Sequence, residues 1–178
     1  MRSPSTATKL QSLASSRKNI HILQCDVGKP SETLAAAETA AKITGGTLDV
    51  LVHNANATDF SSVGLPPSGF SPKDADRVRE GFEVAFESGV YGALWVTNAF
   101  LPLIEKGQQK KIVHISSGMV DIDLVKVTGI DYAVPYAVAK AGMNILAAKY
   151  AAELRVKGIK VIALSPGWVN TFEGEGES

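Results

Sequence analysis

The amino-acid sequence predicts an α/β fold in which helices cover both faces of a parallel sheet. Short runs rich in Val, Ile and Leu alternate along the chain with longer segments of helical periodicity, and this alternation is typical of βαβ units. The short runs show no strict exchange of apolar and polar residues, which is expected of strands buried on both faces. We therefore expect one doubly wound α/β domain.

The predicted strands and helices follow one another in pairs. Strands are predicted where β-branched residues dominate, at residues 20–27, 48–52, 111–116 and 159–164. Helices are predicted where apolar residues recur at spacings of three and four, at residues 4–16, 31–44, 72–104 and 134–157. Two long connections, 55–71 and 117–131, follow the second and third strands, at the edge where open α/β sheets bind ligands.

Local signals support the helix ends. Pro30 precedes Ser31, which we predict to be an N-cap, and Gly45 can take the left-handed conformation that ends a helix. Gly158 ends the last helix in the same way. Within the third helical segment, Gly89 and Gly92 predict a distortion.

Composition and charge exclude several classes of function. The chain has 178 residues with 18 basic and 18 acidic side chains, so its formal net charge is zero. This balance provides no electrostatic footprint for nucleic acid or an anionic membrane, and no segment approaches the roughly 20 apolar residues of a membrane-spanning helix. The single cysteine, Cys25, indicates a reducing compartment. We expect a cytoplasmic protein that binds no nucleic acid, membrane or metal.

One set of residues suggests acid and base chemistry. Tyr136 and Lys140 stand four residues apart at the start of a predicted helix, which places them one turn apart on the same face. A nearby ammonium favours the phenolate form of a tyrosine, as a proton-transfer group near neutral pH requires. Ser117 follows a predicted strand and could hydrogen-bond a substrate carbonyl close to that phenol.

Five motifs, in this order, resemble those of the short-chain dehydrogenase/reductase family. They are Cys25-Asp26-Val27, Asn54-Ala55-Asn56, Ile112-Val113-His114-Ile115-Ser116-Ser117, Tyr136-Ala137-Val138-Ala139-Lys140 and Pro166-Gly167-Trp168-Val169-Asn170-Thr171. Within the family, the chain looks most like fungal ketoreductases of the norsolorinic acid type and sniffer-like carbonyl reductases. The resemblance implies a Rossmann-like doubly wound sheet that binds NAD(P).

The resemblance also implies roles for the reacting residues. Tyr136 would donate a proton to a carbonyl while hydride arrives from the nicotinamide. Lys140 would favour the phenolate of Tyr136 and bind the ribose hydroxyls, and Ser117 would orient the carbonyl. The expected function is therefore NAD(P)-dependent reduction of a small-molecule carbonyl, or oxidation of the corresponding alcohol.

The remaining motifs imply a cofactor site. The implied contacts are Asp26 with the adenine, Asn54 and Ala55 bracing the sheet beside the cofactor, Pro166 and Gly167 in the nicotinamide turn, and Thr171 on the carboxamide. Arg2 falls where members that prefer the phosphorylated cofactor place a basic residue. Because a cation there could pair with the 2′-phosphate, we expect NADP(H) rather than NAD(H).

The chain also departs from the family pattern. It lacks the glycine-rich turn, Gly89 stands where an active-site asparagine is expected, and Asn56 replaces the glycine of Asn-Ala-Gly. We expect a truncated sheet without the family's first two strands and last strand. Residues 1–172 would form an incomplete NAD(P)-binding domain and residues 173–178 a disordered tail. Weak cofactor affinity and marginal solubility should follow, because the strand at 48–52 would have a bare edge.

These departures leave a second hypothesis open. The chain could be a catalytically impaired Rossmann-like module, from an incomplete gene product, that associates with other copies through the helices at 72–104 and 134–157. The intact Ser117, Tyr136 and Lys140 favour an enzyme, whereas Gly89 and the absent glycine-rich turn favour the module. The sequence identifies neither the substrate nor the oligomeric state.

Overall fold

The computed structural model describes residues 7–167 as an α/β fold built on three parallel strands. The helices are α1 (Thr8–Ser16), α2 (Pro30–Thr44), α3 (Ala75–Phe86), α4 (Gly92–Lys106), α5 (Ile122–Thr128) and α6 (Val134–Leu154). The strands are β1 (Val50–His53), β2 (Lys111–Ile115) and β3 (Lys160–Leu164), and short 3₁₀ turns join several of these elements. The predicted α/β class with a parallel sheet is thereby confirmed.

The sheet has the strand order β1-β2-β3, with β2 in the centre. Its register aligns Leu51 with Ile112 and His53 with His114, and it continues from Ile112 to Val161. These residues share one face of the sheet because side chains alternate between the faces along each strand. The register thus places two histidines side by side near the carboxyl ends of β1 and β2.

The prediction of a strand at residues 20–27 is wrong. These residues form no ladder with any strand in the described part of the chain, and β1 is an edge strand. A β-strand exists only through hydrogen bonds to a neighbouring strand, and residues 7–167 provide no neighbour for this segment. The expected split of the sheet, with a bare edge on β1, is therefore present in the described structure.

The core lies between the sheet and the helices α4 and α6. It contains Leu51, Ile104, Ile112, Tyr150, Leu154 and Ile159, with α4 side chains such as Leu94 and Phe100 packed against it. Ile104, Ile112 and Leu154 are fully buried. Burial of this apolar surface is the main contribution that holds α4 and α6 on the sheet.

The opposite face of the sheet is open within residues 7–167. Val52 and Ile162 point away from the core and are 53% and 54% exposed, and Leu164 is 47% exposed. The expectation of helices on both faces therefore fails for the described residues, because α4 and α6 both pack on the face of Leu51 and Ile112. The strands therefore carry apolar side chains also on the face that residues 7–167 leave exposed.

The segment predicted as one distorted helix at 72–104 consists of several parts. A 3₁₀ turn (Pro72–Asp74) leads into α3, a π-helical turn (Glu87–Tyr91) follows, and α4 continues to Lys106. The distortion predicted at Gly89 and Gly92 is thus confirmed as a π turn, in which the N–H of Gly92 bonds the carbonyl of Glu87. This turn aligns residues 87–92 against α6.

The ends of α2 and α6 show which capping signals were correct. Helix α2 begins at Pro30, one residue before the predicted N-cap Ser31, because proline is well suited to the first helical position. Its C-cap Gly45 has a φ of 68°, in the left-handed region as predicted. Helix α6 begins at Val134 as predicted, and the 3₁₀ turn after it ends at Gly158 with a φ of 71°.

Candidate active site

Helix α6 places Tyr136 and Lys140 at its first two turns. Ala133 precedes the helix in the left-handed conformation, with a φ of 54°, and Pro135 fixes the helical backbone of the first turn. The N–H of Ala133 donates to the carbonyl of Val63 at 2.7 Å, which ties the start of the helix to the connection after β1. The backbone that precedes Tyr136 is therefore held in place by this hydrogen bond and by the proline.

The ammonium of Lys140 lies beneath Tyr136. Its Nζ is 5.8 Å from the centroid of the Tyr136 ring and donates a hydrogen bond of 2.6 Å to the carbonyl of Ile115 in β2. Lys140 is only 3% exposed, and burial lowers the pKa of its amine. Burying a lysine this deeply is costly, so the charge depends on the few polar groups around it.

Ser117 lies at the carboxyl end of β2, on the same side as the helix start. Its hydroxyl oxygen accepts a hydrogen bond of 3.2 Å from the N–H of Met119 and so caps the 3₁₀ turn Gly118–Val120. This turn packs against α6. The structure thus brings Ser117, Tyr136 and Lys140 to one region, with the serine O–H able to donate to a bound oxygen.

Two histidines on neighbouring strands, one on β1 and one on β2, form a stacked pair. The rings of His53 and His114 lie 4.4 Å apart and almost parallel, at 14°. His53 Nε2 is 2.9 Å from Thr97 Oγ1, and His114 is fully buried with no hydrogen-bond partner on either ring nitrogen among the described residues. Burial and the neighbouring charges lower the pKa of His53 to about 3 and that of His114 to about 4.

The predicted cofactor residues Asp26 and Ala55 both line one cleft. The cleft has a volume of about 250 Å³, and its walls include Cys25, Asp26, Val27, Ala55 and Asn56. Residues 20–27 form no strand, but a hydrogen bond fixes the end of this segment. The N–H of Asp26 donates to the carboxylate of Glu32 at 2.8 Å. That bond and the ammonium of Lys29 lower the pKa of the Glu32 carboxyl.

Ser88 is a residue that sequence reasoning missed. Its hydroxyl oxygen accepts a hydrogen bond of 2.8 Å from the N–H of Ala57 and lies 3.3 Å from the carbonyl of Val84. Ser88 therefore holds the chain after Asn56 against the π turn and lines the cleft beside Asp26. The signal available in the sequence was a small hydroxyl residue immediately before Gly89, where the helix was predicted to be distorted.

Gly89 faces α6 at the position where the family pattern has asparagine. A Cβ placed on Gly89 would lie 3.5 Å from the Cβ of Ala139, which is an ordinary contact. Gly89 also borders a small enclosed space shared with His53, Ser88 and Met143. The backbone at this position therefore has room for a Cβ, although the residue present supplies no polar side chain.

The remaining predicted site residues lie after β1 and β3 or outside the described residues. Asn54 is exposed at the end of β1, and Pro166 and Gly167 are exposed after β3, with Gly167 at a φ of 78°. They lie at the carboxyl ends of their strands, as the cofactor motif requires. Arg2 and Thr171 lie outside the described residues, as does the predicted tail at 173–178.

Two further features concern ligands and membranes. Across residues 7–167, no three His, Cys, Asp or Glu side chains cluster in a way that could hold a metal ion. None of the helices within this range combines the length and the apolar character that crossing a membrane demands.

Comparison with known proteins places the chain in a family. The profile of the short chain dehydrogenases matches residues 2–176. Among curated relatives, the short-chain dehydrogenase/reductase AacuF of Aspergillus aculeatus is 41% identical over 170 residues, covering 93% of this chain and 63% of that protein. The short-chain dehydrogenase/reductase atnB of an Arthrinium species is 37% identical over 165 residues, covering 93% of this chain and 62% of that protein.

The solved structures give the same answer for the fold. The NADPH-bound carbonyl reductase from chicken fatty liver has a TM-score of 0.78 and 26% identity, covering 96% of this chain and 66% of that one. The carbonyl reductase Sniffer of Drosophila melanogaster has a TM-score of 0.80 at 20% identity, covering 96% of this chain and 68% of that one, and supports the fold alone. The chain spans somewhat less than two thirds of the length of the two fungal relatives. On the sequence match and the arrangement of Ser117, Tyr136 and Lys140, the chain belongs to the short-chain dehydrogenase family.

Proposed function

We propose that the protein is an NADP(H)-dependent oxidoreductase that reduces a small-molecule carbonyl, with Tyr136 as the proton donor. The observation that carries this proposal is the buried ammonium of Lys140 beneath the ring of Tyr136, one helical turn away and next to the end of β2. A buried ammonium so close to a phenol stabilises the phenolate that proton donation leaves behind.

Each of the three residues has a separate task in this proposal. Ser117 donates its hydroxyl hydrogen to the substrate carbonyl oxygen and holds it toward Tyr136. Tyr136 transfers its phenolic proton to that oxygen as the carbonyl carbon gains hydride, so the C=O bond becomes a CH–OH group. Lys140, fixed by its bond to the carbonyl of Ile115, stabilises the phenolate through its ammonium.

The cleft beside Asp26 fits the adenine end of a dinucleotide. It is open, bordered by a carboxylate that can accept from an exocyclic amine, and lined by the small Ala55 and Ala57, which leave room for a flat ring. NADP(H) would supply the hydride when bound. Asp26 and Ala55 would hold the adenine side, Lys140 the ribose, and Asn54, Pro166, Gly167 and Thr171 the nicotinamide side.

Two observations support a preference for NADP(H) over NAD(H). Arg2 could pair with a 2′-phosphate, and the chicken-liver carbonyl reductase, which is similar in fold, has NADPH bound. Titration of the chain with NADPH and with NADH by calorimetry tests this directly. Tighter binding of NADPH that is lost in an Arg2→Ala variant supports the preference, and equal affinities contradict it.

Activity is tested by following NADPH consumption with a panel of ketones and aldehydes. We expect Tyr136→Phe to reduce kcat at least 100-fold, because the general acid is removed while the ring remains. Tyr91→Phe is the matched control, since Tyr91 is 45% exposed on the π turn and should leave the rate unchanged. Equal rates for Tyr136→Phe and wild type would refute Tyr136 as the proton donor.

A non-catalytic module that pairs with a second copy is the alternative function. The helices at 72–104 and 134–157 pack on each other within one chain, and their outward side chains include Val84, Val138 and Ile145, the last 65% exposed. Sedimentation velocity on wild type and Ile145→Glu distinguishes the two functions. A dimer that the substitution dissociates, in a folded chain that binds no NADPH, would favour the module.

Two further expectations belong to this proposal. Residues 1–172 would form the NAD(P)-binding unit, since the motifs at both of its ends contribute to the same site. The free thiol of Cys25, buried beside the proposed adenine cleft, fits a cytoplasmic location, where thiols stay reduced. Fractionation of the source cells with an antibody to the chain tests the location.

A further inference from the structure

The stacked pair of His53 and His114 has no task in the proposed reaction, although it lies in the same buried region as Lys140. His114 is fully buried, and neither of its ring nitrogens has a hydrogen-bond partner among the described residues. An unpaired polar atom at such depth loses its hydrogen bonds to water without gaining others in the folded chain. A group that is this costly to bury calls for a physical reason.

Lys140 makes fewer hydrogen bonds than its ammonium can donate. Its ammonium carries three N–H donors, and the described structure gives it one hydrogen bond, to the carbonyl of Ile115. Ile115 follows His114 directly in β2, so the imidazole and the ammonium approach the same stretch of strand. The charge of Lys140 also acts on His114 and contributes to lowering its pKa.

The pair is held rigidly. His53 is anchored through Nε2 to Thr97, a fully buried residue of α4, and its ring covers that of His114 at 4.4 Å. With the pKa of His53 lowered to about 3 and that of His114 to about 4, both rings are neutral at physiological pH. A neutral imidazole keeps one nitrogen lone pair that can accept a hydrogen bond.

We propose that His114 is a positioning residue for Lys140: its lone pair, through one bridging water, supports the buried ammonium, and His53 and Thr97 fix the orientation of the ring. The inference builds on the proposed role of Lys140 and extends it to residues that do not touch substrate or cofactor. A neutral, polar ring solvates a cation without adding a competing charge. An apolar side chain in its place would leave the ammonium with less solvation and a weaker hold on its proton.

The test measures the protonation of Lys140 itself in the full chain, without cofactor or substrate. The ¹³Cε resonances of labelled lysines are titrated in wild type, His114→Leu and His114→Asn, with a Lys140→Met variant to assign the signal. We expect His114→Leu to make Lys140 bind its proton at least tenfold more weakly, a fall in pKa of about 1 or more. His114→Asn, which keeps a polar acceptor, should restore most of the wild-type value.

Controls separate positioning from folding. His21→Asn changes an exposed histidine far along the chain and should leave the titration of Lys140 unaltered. Should His114→Leu fail to fold, His53→Phe is the second variant, because it keeps a stacking ring and loses only the bond to Thr97. It should lower the pKa of Lys140 by a smaller amount. An unchanged Lys140 titration in a folded His114→Leu chain, or in His53→Phe if His114→Leu does not fold, overturns the proposal.

The result is independent of whether the protein reduces carbonyls. If no carbonyl compound is reduced while His114→Leu still weakens proton binding by Lys140, the reductase function fails and the positioning role stands. If the chain is active, the pH profile of kcat provides a second readout. The basic limb should move to lower pH in His114→Leu and return in His114→Asn, which a merely structural role would not produce.

Discussion

Two halves of the molecule differ in how they are held together. One consists of β2, β3, α4 and α6, and the other contains residues 17–29 and the free edge of β1. The first half has fully buried side chains, such as Ile104 and Leu154, and a continuous parallel ladder. The second half has no ladder at residues 20–27 and is held by turns and side-chain bonds, such as that from the N–H of Asp26 to Glu32.

The proposed chemistry divides along the same boundary. Ser117, Tyr136 and Lys140 lie in the dense half, where helix packing and the strand register fix their positions. Asp26 lies in the loosely held half, where the bond from its N–H to Glu32 helps to order the turn. The proposed catalytic residues therefore depend on one helix and the strand it packs on, whereas the proposed adenine cleft depends on the turn beside the free edge of the sheet.

The largest expected effect comes from a matched pair of leucines. Leu154→Ala in the dense half should lower the free energy of unfolding by about 2 to 5 kcal/mol, because it opens a cavity in a fully buried cluster. Leu34→Ala, at a residue 57% exposed on α2, should cost less than about 1 kcal/mol. Urea unfolding followed by circular dichroism measures both, and equal losses would mean that Leu34 is covered as deeply as Leu154.

The next effect is a loss of stability in acid that originates in the dense half. In the unfolded chain a histidine titrates near its ordinary pKa of 6.5, while in the folded chain the pKa of His114 is about 4 and that of His53 about 3. The unfolded state therefore binds more protons between these values, so stability is complete above pH 6.5 and falls as the pH decreases. By pH 4.5 each ring should cost about 2 to 3 kcal/mol.

Urea midpoints at pH 7.5, 6.0 and 4.5 test this acid effect. His114→Asn should flatten the decline, whereas the exposed His21→Asn should follow wild type. A decline of the same size in both variants would show that groups outside the stacked pair are responsible.

A smaller effect is expected where a helix-to-helix hydrogen bond supports the core. The hydroxyl of Tyr150 in α6 donates to Asn98 Oδ1 in α4 at 2.7 Å, and burial raises the pKa of Tyr150 to about 12. Tyr150→Phe should cost about 0.5 to 1.5 kcal/mol, because one buried hydrogen bond is lost and the ring remains. Thermal unfolding of this variant beside Tyr132→Phe, which changes a 41% exposed tyrosine, measures the difference.

The smallest effect on stability belongs to the open face of the sheet. Ile162→Thr replaces a 54% exposed apolar side chain by another β-branched one and should change the free energy of unfolding by less than about 0.5 kcal/mol. Solubility should rise, because exposed apolar surface on a sheet favours association. Light scattering against concentration checks this, and a large loss of stability would mean that Ile162 is covered.

The sequence predicted those elements that depend on residues close together in the chain. The three strands of the sheet, the helix that carries Tyr136 and the distortion at Gly89 were all predictable, since each depends on an apolar run, a cap or a glycine. The strand at 20–27 was not, because an apolar run becomes a strand only when a neighbour pairs with it. Composition cannot reveal whether that neighbour is present.

The candidate site was predictable in its motifs but not in its support. Helix α5 was expected to be part of a loop, although Asp121 accepts from the N–H groups of Asp123 and Leu124 as an N-cap, and this was a readable signal. The stacking of His53 on His114 depends on the register of two strands that lie about 60 residues apart. A single residue of slip would have separated the rings, so no local pattern could predict the pair.

The π turn at Glu87–Tyr91 makes the chain sensitive to residue count at one place. A π turn holds one residue more than an α-helical path between the same ends, so a single deletion inside it would restore a regular helix. The flanking helices α3 and α4 would keep their mutual orientation, but the residues inside the turn would take new directions. Ser88 would leave the N–H of Ala57, and the cleft beside Asp26 would lose a wall. A substitution here changes one side chain, whereas a deletion removes the wide turn that brings Ser88 to the N–H of Ala57, so we expect natural variants to tolerate the first far better than the second.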